Sequence, residues 1–179
     1  MGIVNLQYYW TEKERKKLLS SINILIDTRE QKNNHITEYL KKVDTGYKNK
    51  KLNFGDYSFF LPANPELGII RDIYFNDKIA VERKNSLEEL SSCFTQDRSR
   101  FEAEMIRATD CRLFLLIEGG SWEQIAAGDY RTQYNPKSFL ASLMAFQHRY
   151  HIHIQFMEKE LAGKFILGLF HYFLREYLK

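Results

Sequence analysis

Two stretches of this chain are apolar for about one strand length and then turn charged, "SINILIDTRE" (21–30) and "KIAVERK" (78–84), while "RLFLLIEGG" (112–120) is a further apolar run closed by paired glycines. Runs this short, rich in Ile, Val, Leu and Phe, read as buried strands. A charge taken out of water at the end of such a strand needs a partner or a metal. The second stretch poses the problem most sharply. Glu82, Arg83 and Lys84 follow Ile79–Val81 directly, and "NSLEEL" turns helical at once. Glu82 and Lys84 are two apart, so on a strand they project from the same face.

Helical patterns lie between the strands. "NHITEYLKKV" (34–43) is a short amphipathic helix, and "KLNFGDYSFFL" (51–61) is a strand broken by the Pro62–Pro65 stretch. A further strand is expected over Ile69–Phe75, with Asn76-Asp77 turning the chain into Ile79–Lys84. Ser86 and Glu89 have capping-box spacing at the start of "SLEELSSCF". "DRSRFEAEMIRAT" (97–109) and "NPKSFLASLMAFQHRY" (135–150) are helices, the second with Pro136 in its first turn. "HIHIQFM" (151–157) alternates as a strand, and residues 158–178 form a long helix with Leu161, Phe165, Leu169 and Phe173 along one stripe. Strands alternating with helices predict an α/β fold, a mixed central sheet flanked by helices. At 179 residues the chain is most simply one domain.

Composition narrows the setting. No apolar run approaches the ~20 residues of a membrane helix. The first residues lack the order of a secretory signal, and Leu6 stands where the myristoylation pattern needs Ser or Thr. Cys93 and Cys111 form no C-x-x-C pair, which argues against a disulfide framework or a zinc ribbon. A cytoplasmic protein without membrane contact is expected. The net charge of +3 permits nucleic-acid binding without demanding it. Lys41–Lys51, "KKVDTGYKNKK", reads either as a solvated loop or as a phosphate-contacting one.

Acids recur at strand ends: Asp27 in "LIDTRE", Asp56 in "FGDYSFF" and Glu82 in "AVERK". If neighbouring strands bring Asp56 and Glu82 together, each carboxylate raises the other's pKa unless a cation sits between them. A hard divalent ion with oxygen ligands, Mg²⁺ or Mn²⁺, resolves that repulsion. Lys84 would then reach the metal's neighbourhood and orient or deprotonate an attacking water. That set suits phosphodiester hydrolysis. A surface ion-pair cluster is the alternative on spacing alone.

With these residues in hand, the sequence resembles the XPF-type (ERCC-family) structure-specific DNA endonucleases of the PD-(D/E)xK nuclease superfamily. Gly55-Asp56 and Glu82-Arg83-Lys84 match the family's Gly-Asp pair and Glu-Arg-Lys. "IDTRE" looks like its strand-end Asp-x-Arg-Glu, "DRSRF" like its Asp-Gly-Arg-Phe segment, and the likeness runs from about Ile22 to Met157. The resemblance implies a restriction-endonuclease-like fold. Residues 21–157 would form the nuclease domain, 1–20 an N-terminal helical extension, and 158–179 a helix packing on the domain or forming a dimer interface. It implies that Asp56 and Glu82 ligate the metal, with Asp27 and the Arg83 carbonyl as further candidates. Lys84 would handle the water, and Arg83 would support the site or contact phosphate. Arg29 and Arg100 would contact phosphate or order the site, and Glu30 would stand behind it. The substrate implied is branched or flapped DNA, cut in repair, recombination or replication. A homodimer or a recruiting protein would be the partner. A catalytically silent DNA-binding or scaffold subunit and a dimeric Holliday-junction resolvase are the alternatives.

The chain also departs from the family pattern. The trailing acid is Glu88 by strict spacing, or Glu89 if "NSLEEL" carries one extra residue. The long spacer between Asp56 and Glu82 predicts an extra hairpin at Leu61–Lys78. The ending in one helix resembles stand-alone nuclease domains of bacteria and phages. His151 and His153 share a strand face and read as packing rather than as a metal pair. His35 reads as solvated or DNA-contacting, and Asp129 as a loop residue. The aromatic density of the last helix predicts a self-association surface.

Overall fold

The computed structural model describes residues 10–179. The first half of the expected N-terminal extension therefore lies outside the described residues. The sheet is mixed, in the order β2-β1-β3-β5-β6-β7. Its strands are β1 (Asn23–Ile26), β2 (Tyr47–Asn49), β3 (Tyr57–Leu61), β5 (Ile79–Lys84), β6 (Arg112–Glu118) and β7 (His153–Met157). β3 runs antiparallel to β1 and β5, while β5, β6 and β7 are mutually parallel, as are β1 and β2. The two-residue β4 (Ile73–Tyr74) folds back antiparallel on β3, forming the hairpin expected from the long spacer.

Helices cover both faces. α1 (Glu12–Ser20), α2 (Asn34–Lys42) and α7 (Ala162–Tyr177) lie on one side. α3 (Leu87–Phe94), α4 (Arg98–Arg107), α5 (Trp122–Ala127) and α6 (Pro136–Tyr150) lie on the other. The strand period divides the side chains of β5 between two cores. Ile79 and Val81 join Ile24, Phe59, Ile36, Ile166 and Phe170, whereas Ala80 joins Leu90, Phe94, Phe101, Phe139 and Phe146. Phe59 centres the first core, stacked on Phe75 at 4.5 Å and 5.3 Å from Phe170. Among the described residues no helix is long and apolar enough to cross a membrane.

Several elements differ from the sequence expectation. Residues 51–56 form a loop instead of the start of β3, because the chain turns at Gly55 with a φ of +70°. A Cβ there would lie 3.0 Å from Ala80 Cβ and 3.3 Å from Val81 O, so only glycine lets the loop approach β5 this closely. β2 arises inside the lysine run, and Ile69–Phe75 contributes strand only at β4. α5 was not expected, although Ser121 caps it and Gly128 ends it in the left-handed conformation. In α7 the buried stripe is Ala162, Ile166, Phe170 and Leu174, one position on from the expected one. The small residues decide this: a Cβ at Gly163 would meet Tyr39 at 2.9 Å, so α7 packs on α2 through its smallest face. Leu161 and Tyr172 are left exposed.

Truncating Phe59 to Ala is expected to destabilise the fold by about 3–5 kcal/mol. Tyr172→Ala, on the exposed side of α7, should stay within about 0.5 kcal/mol. Urea unfolding of the two variants checks the assignment of core and surface.

Candidate active site at one end of the sheet

The site follows from one antiparallel register. Tyr57 on β3 pairs with Val81 on β5, and both side chains enter the first core. Glu82 follows Val81 on the face of β5 opposite the first core, and Asp56, in the turn just before Tyr57, lies close enough for the two carboxylates to repel. Two hydrogen bonds fix the approach. The Asp56 N–H donates to Val81 O at 2.8 Å, and the Arg83 N–H donates to Asp56 Oδ2 at 2.8 Å.

Glu82 and Lys84 are 4% and 7% exposed. Lys84 Nζ donates to Glu82 Oε1, lies 3.9 Å from Glu89 Oε1 and stands 5.3 Å from the centre of the Phe101 ring. Burial pushes the Asp56 carboxyl well above its usual range, and the Glu82 carboxylate pushes it further. Burial raises Glu82 to about 6, against the pull of Lys84. For Lys84, burial opposes the charge, yet Glu82 and Asp56 hold the ammonium well above the usual lysine range. Glu82 Oε2 is buried and accepts no hydrogen bond. An orphaned carboxylate oxygen beside a second carboxylate has the chemistry of a hard divalent-cation site. Among the described residues no cluster of three or more His, Cys, Asp or Glu forms a fuller ligand set.

Asp27 is turned elsewhere. Its Oδ1 accepts the Arg29 N–H at 2.8 Å and Arg29 Nε at 2.7 Å, and its Oδ2 accepts the Leu52 N–H at 2.6 Å. Burial opposes its charge, but these donors more than offset it and hold Asp27 below the usual carboxylate range. The Arg29 side chain, 59% exposed, also donates to Leu52 O at 3.3 Å. Arg83 occupies the other face of β5. Its guanidinium, 3% exposed, donates through Nη1 to Glu118 Oε2 at 2.8 Å and through Nη2 to Glu30 Oε1 at 3.0 Å. These two ion pairs leave the Arg83 guanidinium buried beside Glu30 and Glu118.

Glu88 and Glu89 separate cleanly. Glu88 Oε1 accepts the Arg131 N–H at 3.1 Å, pointing away, whereas Glu89 faces Lys84. Only half of the capping box forms: Ser86 Oγ accepts the Glu89 N–H, but the Glu89 carboxylate accepts from Asn85 N–H at 3.0 Å. Arg100 is exposed on α4. His35, expected to be solvated or on DNA, instead sets Nε2 2.7 Å from Glu118 Oε1. His153 stacks on Phe114 at 4.6 Å, His151 closes α6 in the left-handed conformation, and Asp129 lies in the loop after α5.

Two residues of this region escaped the sequence reading. Glu118 ends β6 and carries the same signal as Glu82, an acid closing a buried apolar strand. Glu104 accepts the Gly55 N–H at 3.1 Å and holds the turn before Asp56. Nothing local marks it, since it sits in an amphipathic helix among other charges.

The ERCC4 domain model matches residues 26–167 of the chain. Two similar solved structures are XPF from Aeropyrum pernix and XPF from Aeropyrum pernix in complex with DNA. The first matches with a TM-score of 0.61 at 22% identity, covering 88% of this chain and 64% of that one. The second matches with a TM-score of 0.60 at 20% identity, covering 86% and 66%. The chain thus spans a little under two thirds of either relative, and the likeness is one of fold. No curated protein matches the sequence. The matched segment contains the glycine turn, Asp56, Glu82 and Lys84, and on that basis the chain belongs to the ERCC4 domain family.

Proposed function

We propose that the chain is a metal-dependent DNA endonuclease that hydrolyses phosphodiester bonds at branched or flapped DNA. The observation that carries this reading is buried Glu82, with one unpartnered oxygen, Lys84 against it and half-buried Asp56 beside it. Family membership supports it, as does the fold shared with an archaeal XPF in complex with DNA.

Asp56 and Glu82 would hold Mg²⁺ or Mn²⁺. A divalent cation in such a site supplies a Lewis acid for the phosphoryl oxygen and an activated water. Lys84 would orient the water and place positive charge where the transition state gathers negative charge. Glu89 steadies that ammonium from the start of α3. Arg83 aims Asp56 through its backbone N–H, while its guanidinium is locked by Glu30 and Glu118 behind the sheet. Asp27 braces Arg29, whose exposed guanidinium is free to meet phosphate. Water attack on phosphorus with loss of the 3′-oxygen leaves a 5′-phosphate and a 3′-hydroxyl.

A second copy of the chain is the partner this reading favours. Phe165 and Leu169 are half-buried beside exposed Leu161 and Tyr172, an apolar face along α7 that one domain leaves uncovered. Leu161→Glu with Tyr172→Glu is expected to convert a dimer to a monomer in light scattering.

Asp56→Asn and Glu82→Gln should each lower Mg²⁺-dependent nicking of a labelled flap substrate by at least ~100-fold, with circular dichroism at the assay temperature checking that each variant is folded. Chelation should abolish wild-type nicking, and added Mg²⁺ or Mn²⁺ should restore it. Activity in both variants equal to wild type, or indifferent to chelator, would contradict the proposal.

The raised Glu82 pKa has a sign that stability measurements can read. Folded Glu82 keeps its proton to about pH 6, whereas its ordinary value is 4.5. The folded state binds more protons between those values, so stability of the metal-free protein falls as pH rises through them. The melting temperature in chelator should drop over that interval, and Glu82→Gln should flatten the descent.

A further inference from the structure

The lysine run 41–51 is divided by the fold. Lys41 and Lys42 end α2, on the side of the first core. Lys48 lies in β2 with its charge already met: Nζ is 3.0 Å from Asp72 Oδ2, 2.9 Å from the Tyr74 hydroxyl and 3.8 Å from the centre of the Phe60 ring. Lys50 and Lys51 follow β2 and are exposed. Among the described residues neither has a carboxylate oxygen within 4.0 Å. Lys50 Nζ stands 4.7 Å from the centre of the Tyr74 ring, a contact that leaves its charge unneutralised.

Topology sets these lysines at the same end of the sheet as the carboxylates. β2 and β1 point the same way as β5, and Asn49, Ile26, Tyr57 and Val81 pair in one row across four strands. Three strand spacings, about 14 Å, separate the end of β2 from β5. The Lys50 N–H donates to Ile26 O at 2.9 Å, fixing the chain as it leaves β2. The following segment is pinned at each step toward Asp56. Asp27 accepts from Leu52, Arg107 Nε donates to Asn53 O at 3.0 Å, and Glu104 accepts from Gly55. Arg29 and Arg107 flank it from either side, so four cations line a rigid segment that ends at the candidate site.

Of these cations Arg29 is paired with Asp27 at 2.7 Å although 59% exposed, while Lys50, Lys51 and Arg107 have no carboxylate oxygen within 4.0 Å among the described residues. A row of cations some 14 Å long matches a line of phosphates, since one DNA strand presents a phosphate about every 3.4 Å of helix axis. We propose that Lys50–Gly55, with Arg29 and Arg107, forms a docking track for the backbone of a duplex arm. The arm leaves the cleavage site over β1 and β2, and Lys50 and Lys51 hold it about four phosphates away. This rests on the endonuclease reading and adds the side on which the substrate lies. Lysines meet phosphate as point charges, so the track positions the arm without reading its sequence.

The test compares Lys50→Ala/Lys51→Ala with Lys41→Ala/Lys42→Ala, which removes the same charge from the same run but on α2. Binding of a labelled duplex to the full chain is followed by anisotropy in chelator over a salt series. Each lost phosphate contact lowers the slope of log K against log salt by about 0.9, so the first variant should lose about 2 and the second none. With Mg²⁺, KM for nicking should rise in the first variant while kcat holds, and Lys50→Arg/Lys51→Arg should restore both readings. Equal slopes and KM values for the two alanine variants overturn the track. A wild type that binds with the full slope but nicks nothing overturns the endonuclease reading and leaves the track standing. A wild type that does not bind duplex overturns both.

Discussion

The pairing of Tyr57 with Val81 is the constraint on which the site depends. It sends two bulky side chains into the first core, turns Glu82 to the other face by the period of a strand, and brings the turn that carries Asp56 against β5, where its N–H donates to Val81 O. The turn that delivers Asp56 requires Gly55, because any side chain there would strike β5. A slip of one residue in this pairing would exchange the faces and separate the carboxylates. Packing of Phe59 and Phe75 beneath the pair therefore holds the chemistry in place without touching it.

Burying so many charges at one strand end is tolerable only because each is answered. Lys84 meets Glu82 and Glu89 on one face, while Arg83 meets Glu118 and Glu30 on the other, with His35 closing on Glu118. Alternation keeps the two groups apart. Removing one partner of a buried pair costs about 3–5 kcal/mol, because the remaining charge is stranded. Among the described residues Glu82 Oε2 is a buried carboxylate oxygen with no hydrogen-bond donor, which is what a cation would answer.

Much of this was legible from local pattern. Apolar runs ending in charge located β1 and β5, an apolar run closed by glycines located β6, and the two-residue spacing set Glu82 and Lys84 on one face. The same signal was present for Glu118 and went unused, because a glutamate before two glycines looks like the start of a turn. The roles of Arg83 and Asp27 were harder to assign. Which side of β5 a guanidinium takes, and whether a carboxylate is claimed by Arg29 and Leu52, depend on partners distant in the chain. The stripe of α7 misled for a similar reason, since counting large apolar residues ignores the close approach that Ala162 and Gly163 allow.

By itself, the order of residues determined the α/β class, the strands that carry charge and the residue types of the site, since these follow from hydrophobic period and short-range spacing. Only the tertiary structure decided which acids approach one another, which of Glu88 and Glu89 faces Lys84, and that Lys50 and Lys51 are left without a carboxylate partner at the end of the sheet that carries Asp56 while Lys48 is paired with Asp72. Those outcomes depend on strand register and helix approach, where burial and packing over the whole domain choose among arrangements that local sequence leaves equal.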